Sequence, residues 1–269
     1  MPFVQIAGSP LLPGTHPIDL YYRDIRRDIG LRAGVPLLVL HGGWGYEVYP
    51  FDAQIAALPD RRLVIPDRTG YGKSPRVAAF PARFHEAAAI EHEALLDVLG
   101  IERCAIWGHS DGAVIAAIMA LRRPDRVTAV VLEALHVERA KPRSREFFLM
   151  MTDHPDDVSP RIAAKLAGEH GDDYWRTLLG AAGRVWLDIA ATPEQDLFDH
   201  RLGELAVPAL VLHGADDPRT EPGEIDRVAQ DLPGATIHVM PGAGHSPHSE
   251  RNASADATSV AVSFLRSRA

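Results

Sequence analysis

The stretch that decides the fold runs from Ile106 to Pro124 and reads "IWGHSDGAVIAAIMALRRP". A short apolar run ends in Gly-His-Ser-Asp-Gly and passes at once into a segment rich in Ala, Ile and Val. Arg122, Arg123 and Pro124 close that segment. This is the punctuation of a strand, a tight turn and a helix. The turn has the form G-x-S-x-G, in which the small residues Gly108 and Gly112 allow the bend that lifts the Ser110 hydroxyl out of a sheet. A helix starting there aims backbone N–H groups and its positive dipole end at Ser110. A serine before an apolar helix is also an ordinary N-cap, so the pentapeptide alone leaves two readings, nucleophile or cap.

Working outward, short apolar runs alternate with helical patterns, the signature of βαβ units and a mostly parallel sheet flanked by helices. The strand segments are 19–25, 36–43, 62–67, 104–108, 127–134, 208–214 and 235–242. Helical periodicity covers 84–100, stopped by Gly100, then 110–124, and a C-terminal stretch "ASADATSVAVSFLRSR". From 135 to 200 the alternation stops, and "REFFLMM", "RIAAKLAGEH" and "YWRTLLGAAGRVWLDIA" are all helical in period. The expected organisation is an α/β core made of 1–134 and 201–269, with 135–200 laid over it as a helical cap. The chain has no internal repeat and no low-complexity segment.

Composition bounds the partners. The 269 residues are 46% hydrophobic and 24% charged, enough for one large core. A net charge of −8 gives no basic field for phosphates or anionic lipid, which disfavours nucleic acid and membrane surfaces and favours a small-molecule substrate. No apolar run approaches a membrane span, and the first residues lack a basic-then-apolar leader, so a cytoplasmic location is expected. A homo-oligomer stays open. The single cysteine, Cys104, sits in "RCAIWG" and reads as a buried strand position.

Several strands end in Gly-rich turns, which brings "HGGWG", "DRTGYGKS", "GHSDG", "HGADD" and "GAGH" to the carboxyl edge of one sheet, where open α/β folds bind ligands. A nucleophilic serine needs a base and a carboxylate that orients the base. "VLHGADDP" supplies Asp216 and Asp217 beyond one strand, and "MPGAGHSPH" supplies His245 beyond the last. An aspartate before proline is commonly a turn residue and a loop histidine commonly a solvated one. The three together, in the order Ser, Asp, His, make those readings hard to sustain jointly.

At this point the chain resembles the α/β-hydrolase superfamily, from "LLVLHGGWG" through "IPDRTGYGKS" and "WGHSDGA" to "LVLHGADDP" and "GAGHSPH". Within it the chain looks most like the valacyclovirase (biphenyl hydrolase-like) group of capped serine hydrolases, with "FPARFHEAAAIEHEALLDVLGIE", "HGDDYWRTL" and "RVWLD" adding to the likeness. The resemblance implies the α/β-hydrolase fold with a cap after the sixth strand. It implies Ser110 as nucleophile, His245 as base and Asp217 as orienting acid, with Asp216 as the alternative acid. It also implies an oxyanion hole built from the N–H of Asp111 and that of Gly43 or Trp44.

Asp111, directly after the serine, has two readings. Its carboxylate either sits on the first helical turn, stabilised by the dipole, or pairs with a cationic group of the substrate, as its counterpart is thought to do in amino-acid ester hydrolases of the group it resembles. Trp44, Tyr46 and the cap residues Phe147, Phe148, Met150, Met151, Trp175 and Trp186 are candidates for an apolar pocket wall, although for most of them, taken singly, ordinary cap-to-core packing is the commoner role. "GKS" lacks the first glycine of a phosphate-binding loop, Asp67 standing in its place. His41, His109, Glu133, His136 and His248 lie near the same loops and receive no catalytic role. No H-x-x-x-H pair supports a metal, and no cofactor is implied. The expectation is a cofactor-independent serine hydrolase of small esters, lactones, thioesters or activated amides. Carbon–carbon bond hydrolysis, N-terminal peptidase activity and a non-catalytic ligand-binding role stand as alternatives.

Overall fold

The structure, a computed structural model, describes residues 3–26 and 34–268. The outermost residues of the expected core, 1, 2 and 269, and its segment 27–33 lie outside that range. The described strands form one sheet: β1 (Phe3–Ile6), β2 (Ile18–Ile25), β3 (Leu37–Leu40), β4 (Leu63–Pro66), β5 (Cys104–His109), β6 (Val127–Glu133), β7 (Ala209–Gly214) and β8 (Thr236–Met240). Their order is β1-β2-β4-β3-β5-β6-β7-β8. β1 and β2 run antiparallel to their neighbours, and every pair from β4 onward is parallel. The helices are α1 (Asp52–Ala57), α2 (Phe84–Val98), α3 (Asp111–Arg122), α4 (Arg145–Asp153), α5 (Pro160–His170), α6 (Trp175–Ala190), α7 (Glu224–Asp231) and α8 (Ser254–Arg268).

The central strands read as continuous apolar runs because both faces of the sheet are covered. In β3, Leu38 and Leu40 enter a cluster with α2 and α3, whereas Leu37 and Val39 point the other way onto Phe51 and onto Ala257, Ala261 and Leu265 of α8. That alternation is the pleat, and each such leucine contributes roughly 1.5–3 kcal/mol by burial. Cys104 is buried in β5, as its apolar surroundings in the sequence imply. Among the described residues no helix is long and apolar enough to cross a membrane.

Three elements escaped the sequence reading. β1 is four residues at the sheet edge with Phe3 exposed, so it carries no continuous apolar run. α1 has six residues, too few for a helical period to register. α7 buries little more than Glu224 and Val228, so its amphipathic stripe is thin. The helices expected at residues 145–151, 161–170 and 174–190 are present as α4, α5 and α6, all between β6 and β7.

Candidate active site

Ser110 occupies the joint between β5 and α3 with φ 56° and ψ −120°, a left-handed conformation for a non-glycine residue. Holding it there costs on the order of 1–3 kcal/mol, which the surroundings must offset. The Ser110 N–H donates to the Glu133 carbonyl at 2.8 Å, and its own carbonyl accepts from Ala113 at 2.8 Å. The flanking glycines are obligatory. A Cβ on Gly108 would stand 2.0 Å from the Gly112 carbonyl oxygen, and one on Gly112 would stand 2.2 Å from that of Leu40. Ser110 makes no side-chain cap bond to α3. Its hydroxyl lies instead 3.0 Å from His245 Nε2, which sets aside the helix-cap reading.

His245 Nδ1 donates to Asp217 Oδ2 at 2.8 Å, and that bond places the lone pair of Nε2 toward the Ser110 hydroxyl. The other Asp217 oxygen accepts the Arg219 N–H at 2.9 Å. Asp216 is exposed, so the structure brings Asp217 rather than Asp216 to the histidine. Burial alone would raise the Asp217 carboxyl, but the hydrogen bond and charge of His245 hold it well below the usual carboxylate range. Burial, then the Arg219 charge, push His245 below its ordinary value against the pull of Asp217. His245 is therefore neutral at pH 7, the form that accepts a proton.

The loop carrying His245 is clamped from behind. Glu133 Oε1 accepts the His248 N–H at 2.9 Å and its Nδ1–H at 2.7 Å, while Trp107 Nε1 donates to Oε2 at 3.0 Å. His248 Nε2 donates to the Tyr49 carbonyl at 3.0 Å. Glu250 accepts from the N–H groups of Gly244 and Ser246 on either side of His245. Ligand atoms of His109, Glu133 and His248 lie within 4.8 Å of one another, a set chemically suited to a metal. Both Glu133 oxygens are already occupied by protein donors, which makes the cluster a clamp on the loop. His248 thus belongs to Glu133 and is not the partner of Ser110.

Asp111 is buried and engaged on both carboxylate oxygens. Oδ2 faces Arg68 Nη2 at 3.3 Å, and Oδ1 accepts from His85 Nε2 and Trp186 Nε1, each at 3.1 Å. Burial works to raise its carboxyl, yet His85, Arg68 and Trp186 together hold it below the usual range. Burial keeps His85 neutral. Arg68 therefore already supplies a cationic partner of the kind that the ammonium reading of Asp111 assigns to the substrate. Arg68 also donates to the carbonyls of His41 and Gly42, tying the loop after β3 to the start of α3.

Above Ser110 lies a cavity lined mostly by apolar surface. Gly43, Trp44 and Asp111, the expected oxyanion residues, border it with Ser110 and His245. Phe147, Phe148, Met151 and Trp186 form its apolar wall, with Trp186 and Phe148 stacked at 5.4 Å. Two expected wall residues belong elsewhere. Tyr46 is buried on the far side of the sheet, stacked on Phe51 with its hydroxyl on Asp52, because its ring has turned away from the loop that carries Trp44. Trp175 packs into the hydrophobic cluster under the helices and borders no cavity atom. Met150 is likewise absent from the wall.

Residues 37–257 match the alpha/beta hydrolase family. The chain belongs to that family. It is 28% identical over 222 residues to the serine hydrolase BPHL of Mus musculus, covering 79% of this chain and 73% of the mouse protein. It is 27% identical over 233 residues to a pimeloyl-[acyl-carrier protein] methyl ester esterase of Neisseria meningitidis, covering 76% of this chain and 84% of that one. A thermophilic esterase from Thermogutta terrifontis superposes with a TM-score of 0.74 at 23% identity, covering 98% of both chains. The hydrolase resemblance read from the motifs is thereby established, and the protein is an enzyme of the hydrolase class.

Several cavity residues of this hydrolase escaped the sequence reading. Arg219, Tyr49 and Lys141 border the cavity, and His136, left without a role, stacks on His245 at 5.5 Å. The Lys141 ammonium bonds both oxygens of Glu224 at 2.6 and 2.7 Å and faces His136 Nδ1. Burial and the Lys141 charge hold His136 neutral, well below its ordinary value. The one available signal was the position of Arg219, two residues beyond Asp217 in the same loop. Pairs such as Lys141 with Glu224, 83 residues apart, leave no local pattern.

Proposed function

We propose that this hydrolase is a serine esterase of small substrates that works through an acyl-Ser110 intermediate. The observation that carries the reading is the chain of contacts from Ser110 Oγ to His245 at 3.0 Å and from His245 to Asp217 at 2.8 Å, on the floor of the cavity. Ser110 Oγ attacks the ester carbonyl as His245 Nε2 takes its proton, and Asp217 stabilises the imidazolium. The tetrahedral oxyanion is met by the N–H of Asp111 and that of Gly43 or Trp44. One such donor contributes about 10²–10³ in kcat in a measured case. Collapse breaks the bond to the alcohol, which leaves with the proton from His245. Water, deprotonated by His245, then cleaves the acyl-serine and releases the acid.

The segment 135–200 acts as the lid, since α4 and α6 supply the apolar wall and Trp186 is tied to Asp111 in the core. The neutralised Asp111 weighs against amino-acid esters and free N-terminal amines. The similarity to BPHL and to an esterase of methyl esters supports the ester class. Intact mass after incubation with a fluorophosphonate tests the reading. A single adduct that maps to Ser110 and is lost in Ser110→Ala supports it, and a folded protein that takes no label and turns over no ester refutes it.

A further inference from the structure

Two of the charges around the cavity are held in close pairs of opposite sign, and a third bonds a neutral ring. Asp111 is matched by Arg68, Lys141 by Glu224, and Asp217 is bonded to His245. Arg219 has no such pair: among the described residues no carboxylate oxygen comes within the 4.0 Å of an ion pair with its guanidinium, which is hydrogen-bonded to the Tyr49 side chain and feels the charges of Asp217 and Asp111 from farther off. The residue is held in place by its N–H on Asp217. Its guanidinium lies 3.8 Å above the Phe147 ring and 5.8 Å from that of Trp44, beside Tyr49, on the rim of the cavity that contains Ser110. An arginine stacked on rings spends its face on them and keeps the in-plane fork of N–H donors, whose spacing matches a carboxylate.

We infer that Arg219 binds an ionised carboxylate carried by the substrate, so that the esters cleaved are those bearing a second, free acid group. This rests on the esterase reading above and names its substrate class. The rings of Trp44 and Phe147 partly strip water from Arg219, and an unmatched cation in such a setting gains most from an anion. His245 adds an independent reason. A cation beside it opposes the imidazolium that acyl transfer requires, against the pull of Asp217 and Asp111, while Lys141 is paired with Glu224 and His136 and His109 are neutral. A substrate carboxylate on Arg219 removes that opposition, so the charged ester assists its own cleavage.

The test compares kcat/KM for charged esters and their neutral counterparts in the wild type, Arg219→Gln and Arg219→Lys. Methyl hydrogen glutarate and methyl hydrogen adipate against methyl pentanoate and methyl hexanoate place the charge on the acyl side. The butyryl ester of glycolate against ethyl butyrate places it on the alcohol side. The wild type should prefer the charged member of at least one set by about tenfold to a hundredfold, the scale of a charge-assisted hydrogen bond. That ratio should fall to near one in Arg219→Gln and be partly restored in Arg219→Lys. Which set shows the preference tells which side of the ester meets Arg219. A ratio near one in the wild type, or one unchanged in Arg219→Gln, overturns the inference. Phosphonate labelling of Ser110 and turnover of the neutral esters separate the two readings. Labelled protein without a charge preference sinks only the role of Arg219, and a folded wild type with neither label nor turnover sinks both.

Discussion

Replacing Asp111 by asparagine isolates the charge that ties the elbow, the loop after β3 and the α6 helix together. The side chains of Arg68 and Asp111 are 1% and 3% exposed, so water does little to screen either. Asparagine keeps the shape but loses the charge, and its amide presents only one acceptor oxygen where the carboxylate serves three donors from two directions. Either Arg68 or the His85 and Trp186 pair must then face an NH₂ group. Breaking one partner of a buried pair costs about 3–5 kcal/mol. For a chain of this size each kcal/mol lowers Tm by roughly 2–4 °C, so the loss should be roughly 6–20 °C. Thermal melting followed by circular dichroism measures it. A companion Arg68→Met, Asp111→Leu double variant should recover part of the loss, because no uncompensated charge remains. A drop below about 2 °C for Asp111→Asn would refute the reasoning, since it would mean that Asp111 carries no charge in the native state or is not sealed from water.

Asp217→Asn should leave the fold intact and lower kcat by about 10⁴, because His245 loses the acceptor that fixes its tautomer; steady-state kinetics on a neutral ester checks this. Gly112→Ala should abolish soluble expression, since the new methyl would stand 2.2 Å from the Leu40 carbonyl oxygen. On the acid side, kcat/KM should fall with a midpoint below the ordinary histidine value of about 6.5, because burial and Arg219 hold His245 below it. Stability should fall with pH as well. His92 and His109 are held to about 3 and His170 to about 4 by burial, so between roughly pH 6.5 and 4 protons bind the unfolded chain but not the native one. Melting temperatures that stay flat or rise from pH 7 down to 4.5 would contradict this.

The parts of the molecule legible in the sequence are those whose cause is local. The elbow was legible because backbone contact at Gly108 and Gly112 admits no side chain, and β3, β5 and β7 because strands covered on both faces must be apolar throughout. His245 and Asp217 could be found since their loops follow strands at a predictable edge. Tyr46 and Trp175 were misplaced for the complementary reason: which way a loop aromatic turns depends on partners such as Asp52 and Phe51, and no periodicity governs it. Asp111 shows the limit most clearly. Its place on the first turn of α3 was visible, whereas its meaning depended on Arg68, His85 and Trp186, lying 43, 26 and 75 residues away.

Those distant partners change what the site selects. An aspartate beside the nucleophile, read alone, invites a cationic substrate. With Arg68 behind it the same residue becomes neutral scaffolding, and its function passes to posture: it aligns the first turn of α3 with the loop after β3 and fastens Trp186 over the cavity. A positive charge without a close ion pair then borders the same cavity, at Arg219. Specificity in such a pocket follows from charge that remains without a close partner after the buried pairs are formed, because a matched pair offers an incoming ion little net field, while an unmatched charge favours ligands of opposite sign and disfavours those of its own. The carboxylate that we infer on Arg219 would be the reverse in sign of the ligand that the residue after the nucleophile suggests.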